Sequence, residues 1–304
     1  MKYWLFRTLA FVVPLVPYWL LQRIAYPAGW IFWACAPALR ERGDWNLAHV
    51  PTLKDDPVAR RKAVRGVFVH LVWNYIDFLR GRRLSNEQIL RGWDITGMDK
   101  LEAVMANGHG CVLFSGHFGP FELGMSRLGA LGYPVKVTAE RLKPESVFQL
   151  VVKLREHHGF RFLPADAKSS VIEIRRALER NEIIGFAVDR FVAGTTTARL
   201  PLFGVPATFS IGPAAIAISM GAPMGVAFNW REGFDLFKGD ILPLDFHLDE
   251  GETVDKGATR VQKIFLQHME RHITAHPEQW VSALSRVWKR DETMTITEKQ
   301  VANG

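Results

Sequence analysis

Cysteine is scarce in this sequence of 304 residues, which contains only Cys35 and Cys111. Both lie in apolar surroundings, so the fold does not depend on a disulfide framework or on a zinc site built from several cysteines. Internal repeats and low-complexity tracts are also missing. With 48% hydrophobic residues the chain can bury a sizeable core, which excludes disordered, collagen-like and disulfide-scaffold proteins.

Several catalytic and binding motifs are absent as well. No serine has the flanking glycines of a G-x-S-x-G elbow, which disfavours a serine esterase of the α/β-hydrolase type. The chain has neither a Walker A sequence nor a convincing dinucleotide fingerprint. His268, His272 and His276 are spaced by four, but no Cys or Glu pattern completes a zinc site around them. We therefore expect a solvated or interfacial histidine face, and neither a metal nor a cofactor.

The charge balance is moderately basic, because 38 Lys and Arg against 31 Asp and Glu leave a formal charge of +7. No dense basic stripe interleaved with aromatic residues is present, so nucleic acid is not expected as a partner. Ten tryptophans favour an anionic membrane surface instead.

The N-terminal region lacks the uninterrupted run of about 20 apolar residues that a membrane-spanning helix needs. Residues 3–33 are dense in aromatic and aliphatic side chains, but Pro14, Pro17 and the pair Gln22-Arg23 interrupt them. A monotopic or re-entrant helical anchor fits this pattern, and a buried amphipathic core helix is the alternative. A cleaved signal peptide fits less well, because no clear small-residue cleavage site follows Leu21. The side chains expected at lipid headgroups are Trp4, Trp19, Trp30, Trp33, Lys2, Arg7 and Arg23.

The composition changes after this segment and predicts the domain organisation. We expect an N-terminal membrane-associated segment over residues 1–42, a catalytic domain over residues 43–290 and a polar tail over residues 291–304.

Short apolar runs alternate with helical periodicity through the catalytic domain, which predicts an α/β fold with a mostly parallel central sheet flanked by helices. The predicted strands cover residues 111–116, 135–140, 160–163, 183–189 and 224–230. The predicted helices run from Pro57 to Leu79 and over residues 145–158, 169–181, 210–220 and 256–275.

The segment GHFGPFELG follows the first of these strands and carries the strongest catalytic signal. His117 stands at the carboxyl end of a strand, where reactive side chains collect in open α/β sheets. Glu122 follows in the first turn of the next helix, and Gly119-Pro120 supplies the turn that a contact between the two side chains requires. A carboxylate on one imidazole nitrogen would fix the tautomer and leave the other nitrogen to accept a proton. The alternative is a structural histidine whose ring nitrogen is hydrogen-bonded to a carboxylate.

HFGPFE (117–122) resembles the His-x4-Asp/Glu motif of glycerolipid acyltransferases, and within them the bacterial lipid A biosynthesis (lauroyl/myristoyl) acyltransferase family, which includes phosphatidylinositol mannoside acyltransferases. The resemblance covers most of the chain. It extends to AVDR (187–190), RLPLFGVPATFSIGPAAIAISMGAP (199–223) and HPEQW (276–280).

The resemblance implies a membrane-associated O-acyltransferase at the cytoplasmic face of the inner membrane. Its donor would be a thioester of acyl carrier protein or coenzyme A, and its acceptor a hydroxyl of a glycolipid or phospholipid. His117 would be the general base and Glu122 the acid that positions it. Backbone amides of the 118–121 turn, or the guanidinium of Arg141 or Arg161, would stabilise the oxyanion, and for either arginine a surface role or a phosphate contact is the alternative.

Further substrate-binding residues are expected from the other matching segments. Asp189 and Arg190 end another buried strand and so face the same cleft. The stretch from Phe203-Gly204 to Gly212-Pro213 resembles a second signature of the family, a loop that leads into a helix beside the site. The alternative is that these glycines and prolines only form turns. Its apolar residues would line an acyl channel or belong to the core; they are Leu200, Leu202, Phe203 and Phe209.

Two other functions remain open from the sequence. In a thioesterase-like hydrolase, His117 would activate water rather than an acceptor hydroxyl. In a non-catalytic protein, the basic and aromatic N-terminal half would bind anionic lipid. The sequence leaves open the acceptor, the donor chain length, the carrier and the oligomeric state.

Overall fold

The computed structural model describes residues 2–139, 144–156, 160–164, 168–192, 194–233 and 235–288. The helices are α1 (Lys2–Val12), α2 (Tyr18–Cys35), α3 (Pro37–Leu47), α4 (Pro57–Gly81), α5 (Asn86–Leu90), α6 (Met98–Ala106), α7 (Phe121–Ala130), α8 (Glu145–Arg155), α9 (Lys168–Glu179), α10 (Gly212–Ser219) and α11 (Val254–Ala275). The strands are β1 (Trp93–Thr96), β2 (Cys111–Ser115), β3 (Val135–Ala139), β4 (Phe160–Pro164), β5 (Ile183–Ala187), β6 (Thr197–Leu202), β7 (Val205–Ser210), β8 (Met224–Arg231) and β9 (Phe237–Leu244).

The main sheet has the strand order β1-β9-β8-β2-β5-β3-β4. Neighbouring strands are parallel except β8 and β9, which form an antiparallel pair. Strands β2 and β5 lie in the middle of the sheet, and every residue of β2 is buried. Such a strand contacts apolar side chains on both faces, which is why CVLFS is a continuous rather than an alternating apolar run. The predicted α/β fold with a mostly parallel sheet flanked by helices is confirmed.

A two-stranded hairpin replaces the loop that was expected between Phe203-Gly204 and Gly212-Pro213. Strands β6 and β7 pair with each other, and the tight turn at Phe203 and Gly204 joins them. Both turn residues have left-handed backbone angles, with φ of 51° and 75°, and such turns match the twist of a hairpin. Gly212 and Pro213 begin α10. The apolar hairpin side chains pack into the main core, where Leu200, Leu202 and Phe209 are buried.

The long helix α4 crosses the molecule and connects the N-terminal helices with the strand ends. The Asp56 carboxylate accepts hydrogen bonds from the amides of Val58 and Ala59, which caps its N-terminus. Helix α2 packs closely on α4, since a Cβ on Gly29 would come within 2.7 Å of the Val69 Cα atom.

One face of the N-terminal helices is packed and the other is open. Within the described residues, none of the helices is both long enough and apolar enough to cross a membrane. Leu21, Gln22, Ala25 and Gly29 of α2 face inward. Large apolar side chains stay exposed on α1, α2 and the turn between them; they include Trp4, Phe11, Leu15, Trp19, Trp30 and Ile31, which we call the N-terminal apolar surface. The expected boundary after residue 42 falls within α3, and the division into separate units stays a prediction.

Candidate active site

Two neighbouring strand ends bring a histidine and an aspartate together. Strands β2 and β5 are parallel and in register, with Ser115 opposite Ala187. His117 and Asp189 each follow the last residue of their strand by two positions. Because parallel strands end at the same edge of a sheet, residues at equal offsets beyond two paired strands become neighbours.

The imidazole and the carboxylate form a close pair. The Nδ1 atom of His117 lies 2.7 Å from Oδ1 of Asp189, and the backbone amide of His117 donates to Oδ2 at 3.0 Å. Ser282 also hydrogen-bonds to this carboxylate. Asp189 is fully buried, whereas the side chain of His117 is 22% exposed. The carboxylate thus holds the imidazole while the ring stays open to a ligand.

Asp189 remains ionised despite its burial. Burial alone raises the pKa of this carboxyl, but the charge of His117 and the hydrogen bonds from the imidazole, Ser282 and the His117 amide lower it to about 2. An ionised carboxylate on Nδ1 favours the tautomer with the proton on that nitrogen, so Nε2 is the nitrogen that can accept a proton. Nε2 has no hydrogen-bond partner within the described residues. This is the arrangement of a general base with an orienting acid.

The turn after His117 is fixed by three backbone contacts. Asn74, which is buried on α4, donates its side-chain amide to the carbonyl of Gly119 at 3.0 Å. The amide of Gly119 donates to the carbonyl of Gln279, and the amide of Val281 donates to the carbonyl of His117. The Gly119 amide is therefore occupied. Backbone amides of the 118–121 turn were expected to stabilise an oxyanion, and this one is not free to do so.

Glu122 does not contact His117, contrary to the sequence-based expectation. Its carboxylate forms an ion pair with Arg155 at the end of α8. The ring of Phe121 lies against the imidazole instead, with ring centres 5.3 Å apart. The chain enters α7 at Phe121, and this start of the helix directs Glu122 toward α8. Asp189, on a neighbouring strand, takes the position beside Nδ1 that was expected for Glu122.

The arginine of this ion pair sits among aromatic rings. The Arg155 guanidinium lies 4.8 Å from the ring centre of Phe162 and 5.3 Å from that of Phe78. Its side chain is 24% exposed and that of Glu122 is 14% exposed. A carboxylate and two rings hold the guanidinium in one orientation, which suits it to bind an anionic group of a substrate.

The other expected site residues lie on several different elements. Arg161 is exposed on β4, the edge strand, with β5 and β3 between it and β2. Arg190 directly follows Asp189 and is half-buried. Phe203 lies at the tip of the β6–β7 hairpin, where its amide bonds to the Glu270 carboxylate. Arg141 lies outside the described residues. Of the expected site residues, Asp189 is hydrogen-bonded to His117.

Sequence reasoning missed the residues that support the pair. Asn74, Ser282 and Arg155 received no role, and Gln279 was noted only as part of the HPEQW segment. That segment is the available signal, because its backbone pairs with the His117 turn and Ser282 follows it closely. The described His, Cys, Asp and Glu side chains include no cluster of three that could hold a metal ion.

The sequence is similar to a known protein family and to several known proteins. The sequence matches the family described as bacterial lipid A biosynthesis acyltransferase over residues 1–290. It is 26% identical over 211 residues to a phosphatidylinositol mannoside acyltransferase of Mycobacterium tuberculosis, which covers 65% of this chain and 61% of that protein. A phosphatidylinositol mannoside acyltransferase of Mycolicibacterium smegmatis is 26% identical over 189 residues, with 62% and 60% covered. The matched region thus spans less than two thirds of the length of these relatives.

Proposed function

The chain belongs to the bacterial lipid A biosynthesis acyltransferase family, and we propose that it transfers a fatty acyl chain from a thioester to a hydroxyl of a lipid acceptor. The contact between His117 Nδ1 and Asp189 at the carboxyl ends of β2 and β5 is the observation that carries the proposal. The donor is an acyl thioester of acyl carrier protein or of coenzyme A. The acceptor is a glycolipid or phospholipid, the class to which the name of the matched relatives points.

In the proposed reaction, Nε2 of His117 removes the proton from the acceptor hydroxyl. The oxygen attacks the thioester carbonyl carbon, and the carbonyl π electrons move to its oxygen to give a tetrahedral oxyanion. Asp189 stabilises the imidazolium that forms. Collapse of the intermediate breaks the C–S bond, and the imidazolium returns its proton to the departing thiolate. The ester, the free thiol and the neutral imidazole balance the reaction without a covalent acyl-enzyme.

We assign Glu122 a different part from the one that the His-x4-Glu spacing suggests. It positions Arg155, and the oriented guanidinium binds a phosphate or the developing oxyanion of the substrate. Arg190, next to Asp189, is a second candidate for substrate binding.

Attachment to a membrane is part of the proposal. The N-terminal apolar surface would lie at the headgroup level of a bilayer, with arginines beside its tryptophans. Arg7 and Arg23 stack over Trp4 and Trp19 at 5.4 and 5.2 Å from the ring centres. Such pairs place an aromatic ring at the interface and a cation near lipid phosphates. We propose a peripheral or monotopic attachment to the cytoplasmic face of the inner membrane.

A lipid comparison tests the proposed function. Membrane lipids are analysed by mass spectrometry in cells that express the wild type, His117→Ala or His109→Ala at matched protein levels. His109 is an exposed histidine before β2, so its variant controls for the substitution itself. We expect a lipid heavier by one acyl chain with the wild type and His109→Ala but not with His117→Ala.

Two other outcomes would contradict this proposal. Release of free fatty acid as the main product, with saturating acceptor present, would indicate a thioesterase. Identical lipid profiles for all three proteins in hosts that offer several acceptors would indicate a lipid-binding protein without transfer activity.

A further inference from the structure

A groove of about 850 Å³ lies between α1, the end of α4 and α8, and none of its lining residues belongs to the His117 turn. Its walls are largely apolar and include Phe11, Leu79, Leu150 and Leu154. Its volume falls in the range of pockets that bury small molecules, about 300–1,000 Å³. An apolar cavity of this size stabilises a ligand that brings a hydrocarbon portion.

Four cations stand around this groove, and no carboxylate is among the described residues that line it. The side chains of Arg82, Arg83 and Lys153 are exposed and have no hydrogen bond or ion pair with the described residues. Arg7 is held by the hydroxyl of Tyr3 and lies over the ring of Trp4. Some surface arginines elsewhere in the chain have carboxylate partners, among them Arg175, Arg176 and Arg180. The groove thus concentrates unneutralised positive charge beside apolar walls.

We propose that this groove binds a phosphate-bearing membrane lipid, with its phosphate at Arg82, Arg83 and Lys153 and an acyl chain against Leu150 and Leu154. The cations favour a lipid with an anionic headgroup, because charged side chains form stronger hydrogen bonds with a phosphate than neutral side chains do. The apolar walls select the chain.

The position of the groove also favours a lipid over a soluble phosphate compound. Phe11 belongs both to the groove wall and to the N-terminal apolar surface, where it is 63% exposed. A lipid can therefore move from a bilayer that contacts α1 into the groove while its chain stays in apolar surroundings.

Helix α8 carries residues of the groove wall and also the arginine of the Glu122–Arg155 ion pair. Leu154 lines the groove and Arg155 follows it on α8, while a narrow gap beside the ion pair is lined by Phe78 and Gly81 of α4. A lipid bound in the groove would thus contact the helix that carries the arginine that we assign to substrate binding. Binding itself does not depend on transfer chemistry, so it can be tested with His117→Ala, and its failure is separate from a failure of the proposed activity.

The test measures the affinity of the full chain, in the His117→Ala form, for dioctanoyl phosphatidic acid below its micelle concentration by calorimetry. Dioctanoylglycerol has the same chains without the phosphate. The variant R82Q/R83Q removes two rim charges just after α4, and R61Q/K62Q is its control because Arg61 and Lys62 are exposed on α4 and outside the groove. We expect saturable binding of one lipid, weaker binding of dioctanoylglycerol, and about a tenfold loss for R82Q/R83Q but not for its control.

A second variant tests the apolar walls. Ala10 lines the groove, and Ala10→Trp would narrow it while leaving the four cations in place. Loss of phosphatidic acid binding with an unchanged Tm would support the proposal. Equal losses in both charge variants would overturn it in favour of general electrostatic attraction. Unchanged binding by Ala10→Trp, or tighter binding of coenzyme A or inorganic phosphate than of the lipid, would also overturn it.

Discussion

Asp189 and Glu122 are both carboxylates close to His117 in sequence or in space, but the backbone gives them different partners. Asp189 is buried beneath the imidazole and accepts two hydrogen bonds from His117. Gly116 makes this approach possible, because a Cβ there would meet the Asp189 Cβ at 3.2 Å. A larger residue at position 116 would push the strand end away from the aspartate. A single small residue thus allows the pair to form.

Gly119 is the second backbone requirement of the site. Its φ is +57°, and a Cβ would lie 1.9 Å from the Asn229 carbonyl oxygen. We expect Gly119→Ala to lower the free energy of unfolding by about 3 kcal/mol or more, because conformational strain and a steric clash add. Gly108→Ala is the control, since Gly108 has φ of +77° with nothing within 4 Å of the added carbon.

The Gly108→Ala control measures the cost of the backbone conformation alone. We expect it to lower the free energy of unfolding, measured in urea, by about 1 kcal/mol. Equal losses for the two glycines would show that the contact with Asn229 does not restrain the turn.

At the scale of elements, a buried ion pair joins α4 to β8 and α2. Asp77 and Arg231 are 4% and 2% exposed, with 2.5 Å between Oδ2 and the guanidinium, and the hydroxyl of Tyr18 bonds to both. The Arg231 guanidinium also lies over the rings of Trp73 and Phe237.

The same helix α4 supplies Asn74 to the His117 turn. This cluster therefore links the N-terminal helices to the helix that supports the site.

We expect Asp77→Ala to cost about 3–5 kcal/mol of unfolding free energy, because it leaves the Arg231 charge buried without its carboxylate. Arg175→Gln, which breaks an exposed pair with Glu179, serves as the control and should cost less than about 1 kcal/mol. Equilibrium denaturation measures both. Similar small losses in the two variants would mean that water reaches Arg231 and that the pair does not hold the elements together.

The sequence predicts most elements but not how they associate. The predicted strands at 111–116, 183–189 and 224–230 match β2, β5 and β8 to within two residues at each end, because each is a compact apolar run. Strand order is not visible in such runs, so the sequence placed Asp189 in the cleft without pairing it with His117.

The hairpin shows a second limit of the sequence pattern. Pro201 and Pro206 stand opposite each other in it, and proline usually argues against a strand. This pair belongs to a separate two-stranded sheet, where proline is tolerated. The loop that the family resemblance predicted is therefore a hairpin of β6 and β7 in the structure.

At the scale of the whole molecule, the basic net charge and the N-terminal apolar surface act together. The formal charge of +7 attracts an anionic surface over a distance set by the salt concentration, whereas apolar insertion acts only on contact. Binding to anionic vesicles should therefore weaken as salt rises, but should not vanish.

Vesicle co-sedimentation with a matched pair of variants tests this. Ile31 is 64% exposed on α2 and Leu236 is 61% exposed between β8 and β9, so Ile31→Ser and Leu236→Ser change similar side chains at two places. We expect Ile31→Ser to weaken binding to anionic vesicles about fivefold, since one buried aliphatic side chain contributes about 1 kcal/mol or more. Leu236→Ser should bind as the wild type does. Equal binding by both variants would locate the membrane contact elsewhere.

The central claim is that His117 is the base and that Asp189, not Glu122, positions it. The most direct test is the steady-state rate of acyl transfer by Asp189→Asn and Glu122→Gln beside His117→Ala. Asparagine would place an NH2 group against the His117 amide or imidazole N–H, so we expect Asp189→Asn to lower kcat by about 10³- to 10⁴-fold, close to His117→Ala.

Glu122→Gln leaves the His117–Asp189 contact intact and loosens Arg155, so it should raise KM and keep kcat within about tenfold of the wild type. A kcat near wild type for Asp189→Asn, together with a loss in Glu122→Gln as large as that of His117→Ala, would contradict the account.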